Sequence, residues 1–231
     1  QTLAAGATFI AYAFAEIDGF SKFGSFVGNG STNGPIVETG FEPAFVMTKR
    51  SSTSGGWVIW DNKRSTTNPR LKYFQANVSN AEETLTGGMD FLSNGFQVKD
   101  TDAELSGNGN TFIYIAFAAD PDIEAPTLAS SFNIELYRGN AKARSIDLGF
   151  LPNLVWIKDR DTDYSHVLID SVRGPSKYLK PNASTAESTE AQGITSFDSN
   201  GFTLGTATGS YGLDDDNYVA WTWKADDNEP T

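Results

Sequence analysis

Two short patterns that combine an acid with an arginine occur at matching places in the sequence. Asp61 is followed three residues later by Arg64, and Asp170 is followed by Arg173 at the same spacing. At the end of a strand, such a pair can form a polar cluster that binds a ligand. It can equally form a turn in which the aspartate accepts backbone hydrogen bonds and pairs with the nearby arginine. Recurrence of the pattern favours the second, structural interpretation.

His166 is the only histidine, and it stands next to Ser165 and four residues ahead of Asp170. These are the residue types of a hydrolase triad. Neighbouring residues of a strand face opposite sides, so the ring of His166 cannot act as a base for Ser165. We therefore predict no catalytic residue and no enzyme.

The positions of Trp57 and His166 suggest sugar binding instead. The alternate positions that follow them are apolar in both copies and are expected to face a core, namely Val58, Trp60, Val167 and Ile169. The two rings should therefore project from the opposite face. A flat ring next to a lysine and an aspartate suits a sugar, because it stacks on a pyranose face. The alternative is a rim aromatic packed on a loop. The predicted ligand-binding residues are Trp57, Lys49, Asp61, His166, Lys158 and Asp170.

Acidic residues suggest two further chemistries. Asp159, Asp161 and Asp163 are spaced like the start of a calcium loop, although Tyr164 stands where that loop needs glycine. They are candidate Ca²⁺ ligands, with incidental loop acidity as the alternative, and no other cofactor is predicted. Glu82 and Glu187 recur at matching positions and, with the two aspartates, provide the paired carboxylates of a glycosidase. A secreted glycan-active enzyme is therefore kept as an alternative function.

These patterns recur because the chain is a duplication. Residues 40–49 return as 149–158 at a spacing of 109, and residues 91–96 return as 197–202 at a spacing of 106. A repeat of roughly 100 residues predicts two whole domains rather than a solenoid of small units.

A shared strand pattern closes each copy, at residues 111–118 and 217–224, and also occurs near the front, at residues 8–15. Apolar residues alternate with period two and both faces are apolar, so these strands should be central and covered on both sides. The front copy has three open interpretations. It completes the sheet of its own first domain, it inserts into a neighbouring subunit, or it is the end of a preceding repeat.

Composition narrows the fold and the partners. The 231 residues are 39% hydrophobic and 13% aromatic with 22 glycines, and long helical patterns are scarce, which indicates an all-β protein. The chain has no cysteine, so a disulfide framework is excluded. A net charge of −12 opposes binding to nucleic acid. No apolar run approaches the ~20 residues of a membrane span.

The predicted fold is two tandem β-sandwich domains of sandwich or jelly-roll type. The boundaries follow from the repeats, from an acidic, proline-containing stretch between them, and from a polar tail. They are an extra strand at 1–16, the first sandwich at 17–119, a linker at 120–131, the second sandwich at 132–226 and a tail at 227–231.

The second copy carries the most recognisable motifs: Gly-Phe-x-Pro-x-Leu-Val-Trp-Ile-Lys, Ser-His-x-Leu-x-Asp-Ser-Val-Arg-Gly, Ser-Phe-x-Ser-Asn-Gly-Phe and Tyr-Val-Ala-Trp-x-Trp-Lys. Together they resemble a repeat domain of virion proteins of marine tailed phages, notably those of cyanobacteria. The resemblance covers nearly the whole chain. It implies two tandem domains of jelly-roll, concanavalin-like type and a place in tail fibres or related surface proteins, and it carries over no catalytic residue.

The resemblance gives the functional expectation. It implies a virion surface protein, located outside the cell, that is a tail-fibre or receptor-binding component adhering to host glycans. A capsid decoration or filament subunit joined through edge strands is the second alternative. The expected partners are other virion subunits in a homo-oligomer and a host-surface glycan.

Overall fold

The computed structural model describes residues 6–118 and 131–225. The first repeat consists of β1 (Ser21–Val27), β2 (Ile36–Glu38), β3 (Pro43–Arg50), β4 (Trp57–Asp61), β5 (Arg70–Gln75), β6 (Glu83–Leu92), β7 (Gly95–Val98), α1 (Ala103–Ser106) and β8 (Thr111–Ala118). The second consists of β9 (Phe132–Arg138), β10 (Arg144–Asp147), β11 (Leu154–Asp159), β12 (Val167–Asp170), β13 (Lys177–Tyr178), β14 (Ser188–Thr189), β15 (Ile194–Asp198), β16 (Gly201–Leu204) and β17 (Asn217–Trp223).

The first repeat is a sandwich made from one folded sheet. Strands β1, β8, β3 and β4 form one layer, strands β6, β7 and β2 form the other, and β5 pairs with both β4 and β6. Alternate residues of each layer point inward, as the strand period requires. Val46, Phe96 and Phe112 are completely buried in the core between the layers.

The second repeat has the same strand order. Its layers are β9-β17-β11-β12 and β10-β16-β15, with β13 and β14 as a short separate pair. Its core includes Ile157, Phe202 and Tyr218. The predicted all-β class and tandem β-sandwich architecture are therefore confirmed. The finer jelly-roll type stays a prediction.

A third apolar core lies between the two repeats. It is formed by the outer faces of β3, β4 and β8 on one side and of β11, β12 and β17 on the other. Phe45 of the first repeat makes ring contacts with Trp221 and Trp223 of the second, at centroid distances of 6.1 and 6.0 Å. This packing explains why the closing strands are apolar on both faces. Burial on both faces is confirmed for β17 but not for all of β8, where Ile113 is 40% exposed.

The prediction of a strand at the front of the chain is wrong. Residues 8–15, called here the front segment, form no ladder and run as irregular chain across the junction of the two repeats. A strand needs a neighbouring strand to pair with, and the front segment forms no ladder with the free outer edge of β1 or with any other described strand. An isolated β-bridge between Ile17 and Ser21 follows the segment in the sequence.

Several predicted boundaries lie outside the described residues, namely residues 1–5, the linker except Ser131, and the tail at 227–231. Within the described ranges, no helix is long and apolar enough to span a membrane.

Candidate functional site

The Asp61–Arg64 pair forms a buried turn. Oδ1 of Asp61 accepts the backbone N–H of Lys63 and of Arg64, at 3.1 and 2.8 Å. Its Oδ2 accepts Nε of Arg64 at 2.5 Å, and both side chains are fully buried. This geometry confirms the structural interpretation of the pair. The same guanidinium lies 4.5 Å from the centre of the Phe74 ring, which adds a cation–π contact.

Residues of the second repeat cover this turn. Trp221 donates its Nε1–H to Oδ2 of Asp61 at 3.1 Å. Arg160 binds Glu82 in a two-pronged pair, with Nε···Oε2 at 3.0 Å and Nη2···Oε1 at 2.9 Å. Burial alone would raise the pKa of Glu82, but the hydrogen bond from Arg160 and the charge of Arg64 lower it below its ordinary value. The acids and arginines of this cluster therefore join the two repeats.

The second repeat has its own version of the turn. Asp170 accepts the backbone N–H and Nε of Arg173 at 2.9 and 2.6 Å, and Glu187 lies 3.6 Å from Nη1 of the same arginine. The front segment supplies the outer contact, because Tyr12 donates its hydroxyl to Oδ2 of Asp170 at 2.9 Å. Burial and this hydrogen bond raise the pKa of Tyr12 well above its usual range.

The predicted sugar platform is wrong for the second repeat, because its residues are buried. His166 and Lys158 are completely buried, and their strand face packs on the first repeat. Nδ1 of His166 accepts Nε1–H of Trp156 at 2.9 Å. Nζ of Lys158 donates to the carbonyl oxygens of Asp159 and Thr162 at 2.6 and 2.9 Å. The outward face that the sequence predicted is covered by the other repeat, which strand periodicity cannot reveal.

In the first repeat the equivalent residues are only partly covered. Trp57 and Lys49 are half-buried, and Nζ of Lys49 donates to the carbonyl oxygen of Arg50 at 2.7 Å. Asp61 is fully buried beneath Trp221 and cannot meet a sugar at the surface. The structure does not assemble the six predicted ligand-binding residues into one exposed site.

The three predicted calcium ligands do not converge either. Oδ1 of Asp159 accepts the backbone N–H groups of Asp161 and Thr162, and Oδ2 of Asp161 binds Asn217. Asp163 is exposed. Among residues 6–118 and 131–225, no group of three or more His, Cys, Asp or Glu side chains could hold a metal ion. Asp159 is used in a local turn, and Asp161 holds the start of a distant strand.

An open depression of about 440 Å³ lies at one end of the second repeat. Tyr164, which is 43% exposed, forms one wall, and Tyr178 and Tyr211 lie deeper, with their rings edge to face at 6.2 Å. Polar groups surround them, including Lys180, Glu190, Gln192, Thr206 and Ser210.

The depression combines rings with polar groups in fixed positions. Gln192 accepts hydrogen bonds from Thr206 and Ser210 donates to the carbonyl oxygen of Ser165 at 2.9 Å, so the loops around it are tied together. One exposed ring, that of Tyr164, with deeper rings behind it and a rim of amide, hydroxyl and carboxylate groups suits a polyhydroxylated ligand, since the site offers both stacking and hydrogen bonds.

A comparison with protein families now places the chain. The family described as a domain of unknown function, DUF7483, matches residues 1–121 and 128–230. The chain belongs to the DUF7483 family. The two matched segments agree with the two sandwiches seen in the structure. No curated protein and no solved structure matches the chain.

Sequence reasoning missed the depression of the second DUF7483 repeat. The sequence does contain a signal for the depression, because Tyr164 aligns with Gly55 of the first repeat and so occurs in only one of the two copies. It also missed Arg160 as the partner of Glu82, since 78 residues separate them.

Proposed function

We propose that this DUF7483 chain is a non-enzymatic component of a virion surface, in a tail fibre or receptor-binding part, that adheres to a host-surface glycan. The motif resemblance supports the virion location outside the cell. The aromatic and polar depression around Tyr164 is the single observation that supports adhesion. Glycan contact is assigned to this depression and not to the buried His166 face.

The glycan-active alternative finds little support in the recurring acids. A general acid needs a raised pKa. Burial raises the pKa of Glu82, but Arg160 and Arg64 outweigh this effect and hold the pKa below its ordinary value. Its carboxylate is occupied by the guanidinium of Arg160. We therefore keep binding without turnover as the proposed activity.

A subunit that mainly assembles is the second candidate. Ile113, on the outer face of β8, is the observation that favours it, because a large apolar side chain there remains 40% exposed. This candidate predicts tight contacts with other virion subunits and no glycan affinity, which a glycan array distinguishes from the first.

The test measures binding to an array of bacterial surface polysaccharides. Tyr164→Ala should weaken binding by about tenfold, since truncating one central aromatic contact costs roughly 1.4 kcal/mol. Val172→Ala is the matched control, because Val172 is 84% exposed on the same repeat and does not line the depression. Unchanged affinity of a folded Tyr164→Ala protein, or an array that binds no wild-type chain, would rule out adhesion at this depression.

A further inference from the structure

The two repeats use equivalent faces differently. In the second repeat, Val219 and Trp221 of β17 are completely buried against the first repeat. Their equivalents on β8, Ile113 and Ile115, are 40% exposed and half-buried. The same contrast holds for the neighbouring strand positions, which are buried in the second repeat as Ile134, Trp156, Lys158 and His166 and half-buried in the first as Phe23, Met47, Lys49 and Trp57. The first repeat thus keeps a partly covered copy of a face that, in the second repeat, docks completely on a domain.

The front segment contacts the second repeat as a closing strand would. Tyr12 holds the fifth position of its pattern, as Trp221 does in β17. Trp221 donates to Oδ2 of Asp61 at 3.1 Å, and Tyr12 donates to Oδ2 of the equivalent Asp170 at 2.9 Å. The second repeat therefore receives from the front segment the same contact that it gives to the first repeat.

Three equivalent rings meet at one point. Phe14, Phe117 and Trp223 each hold the seventh position of the pattern, in the front segment, β8 and β17 respectively. Their centroids are separated by 5.5 Å (Phe14 to Phe117), 5.8 Å (Phe14 to Trp223) and 5.7 Å (Phe117 to Trp223). Near-equal spacing of equivalent residues indicates an approximate threefold axis between three closing strands. A cleft of about 470 Å³ lies beside these three rings.

The outer side of the front segment lacks what covers the other two. Phe9, Ala11 and Ala13 are exposed, and Phe9 is 59% exposed. The residues at these positions in β8 and β17 point into the sandwich cores and are buried, namely Phe112, Tyr114, Ala116, Tyr218, Ala220 and Thr222. The front segment thus has the inner contacts of a closing strand without a sandwich behind it.

We propose that a third repeat of this domain completes a ring of three, with the front segment as its closing strand. Each closing strand would then lie on the Asp–Arg turn of another repeat in cyclic order: β17 on the first repeat, the front segment on the second, and β8 on the third. A head-to-tail contact that turns by one third of a circle closes after three units. The third repeat covers Phe9 on its inner side and the Ile113 face on its docking side, so it accounts for both exposed apolar surfaces.

The test adds a third repeat to the chain in a chimeric protein. Residues 131–216 of the second repeat are duplicated and joined directly ahead of Thr8 of the full chain, so that the front segment replaces residues 217–224. The second repeat is chosen because Tyr218, Ala220 and Thr222 resemble Phe9, Ala11 and Ala13 in size. The chain has no cysteine, so Ile113→Cys introduces a single thiol whose labelling rate reports cover of the docking face. The thiol should react at least ~10-fold more slowly in the chimera than in the parent chain, as local protection requires.

The control is Ile36→Cys, which is 64% exposed on β2 and should react equally in both proteins. A second chimera with residues 20–110 ahead of Thr8 repeats the measurement with the body of the first repeat. Absence of protection in both chimeras, through misfolding or through an undocked repeat, overturns the proposal. It is also overturned if the thiol in the parent becomes protected with rising protein concentration while the mass doubles, because a second chain then covers the face.

Discussion

His166 lies between the two repeats, and burial decides its protonation. Desolvation, and then the charge of Lys158, lower the pKa of His166 to about 3 from an ordinary 6.5. The ring is therefore neutral at physiological pH, and its Nδ1 can accept the indole N–H of Trp156. A histidine that sequence placed in a sugar site is instead a neutral packing residue.

This burial predicts an acid-sensitive stability. Between pH 6.5 and 3 the unfolded chain binds a proton on His166 that the folded chain does not. The contribution is complete above about pH 6.5 and is lost as the pH falls. The free energy of unfolding should fall by about 1.4 kcal/mol per pH unit well below 6.5. Urea denaturation from pH 6.5 to 5 measures the slope, before most carboxylates titrate. His166→Gln should remove it, since this is the only histidine, and an unchanged slope in that variant would contradict the assignment.

At the scale of elements, an Asn-Gly pair forms a hairpin turn in each repeat, and Phe91 pairs with Phe96 across the first. Gly95, and not Asn94, has the positive φ, since Gly95 begins β7 with φ of +155°. A Cβ at Gly95 would lie 2.0 Å from the carbonyl oxygen of Val37 on β2. The glycine is needed for the close approach of β2, and Gly201 has the same relation to β10.

Gly95→Ala should therefore cost about 3 kcal/mol of unfolding free energy, because β2 must move away from β7. Gly109→Ala is the matched control, since it also has positive φ but no atom within 4 Å of an added Cβ, and it should cost only ~1 kcal/mol. Thermal and chemical denaturation of the two variants compares them. Equal losses would show that backbone conformation, and not the neighbouring strand, requires glycine at position 95.

At the scale of the whole molecule, the two sandwiches share a core and a polar clamp. The central aromatic residues between the repeats, Phe45 and Trp221, are buried as deeply as those within each sandwich. Glu82 and Arg160 close the rim of this interface, with side chains only 9% and 15% exposed. We expect the repeats to unfold together rather than as independent domains.

Calorimetry should show a single transition with equal calorimetric and van't Hoff enthalpies. Arg160→Ala should destabilise the whole transition by about 2 kcal/mol, since it removes the two-pronged pair and leaves Glu82 with only Arg64 and Lys72. Arg138→Ala is the control, because Arg138 and Asp215 pair with side chains 64% and 80% exposed, and its cost should stay below ~0.5 kcal/mol. Two resolved transitions, or a loss confined to one repeat, would contradict a shared core.

The sequence by itself determined the features that are local or repeated. Alternation with period two, turn residues and the internal duplication specified an all-β protein with two sandwiches. The spacing of Asp61 to Arg64, repeated as Asp170 to Arg173, favoured an Asp–Arg turn over a ligand-binding cluster. Each of these depends on neighbours within a few residues or on comparison of one repeat with the other, so no long-range contact had to be known.

Only the tertiary structure decided what covers each strand face. A strand that is apolar on both faces must be buried twice, but its pattern does not say whether a helix, a loop or another domain provides the cover. The second repeat provides it here, and this contact buries His166 and Lys158 and brings Trp221 to Asp61, 160 residues away. The front segment has the pattern of a strand but forms no ladder with any strand of the described ranges. Pairing depends on an available partner, which the sequence of the segment does not contain.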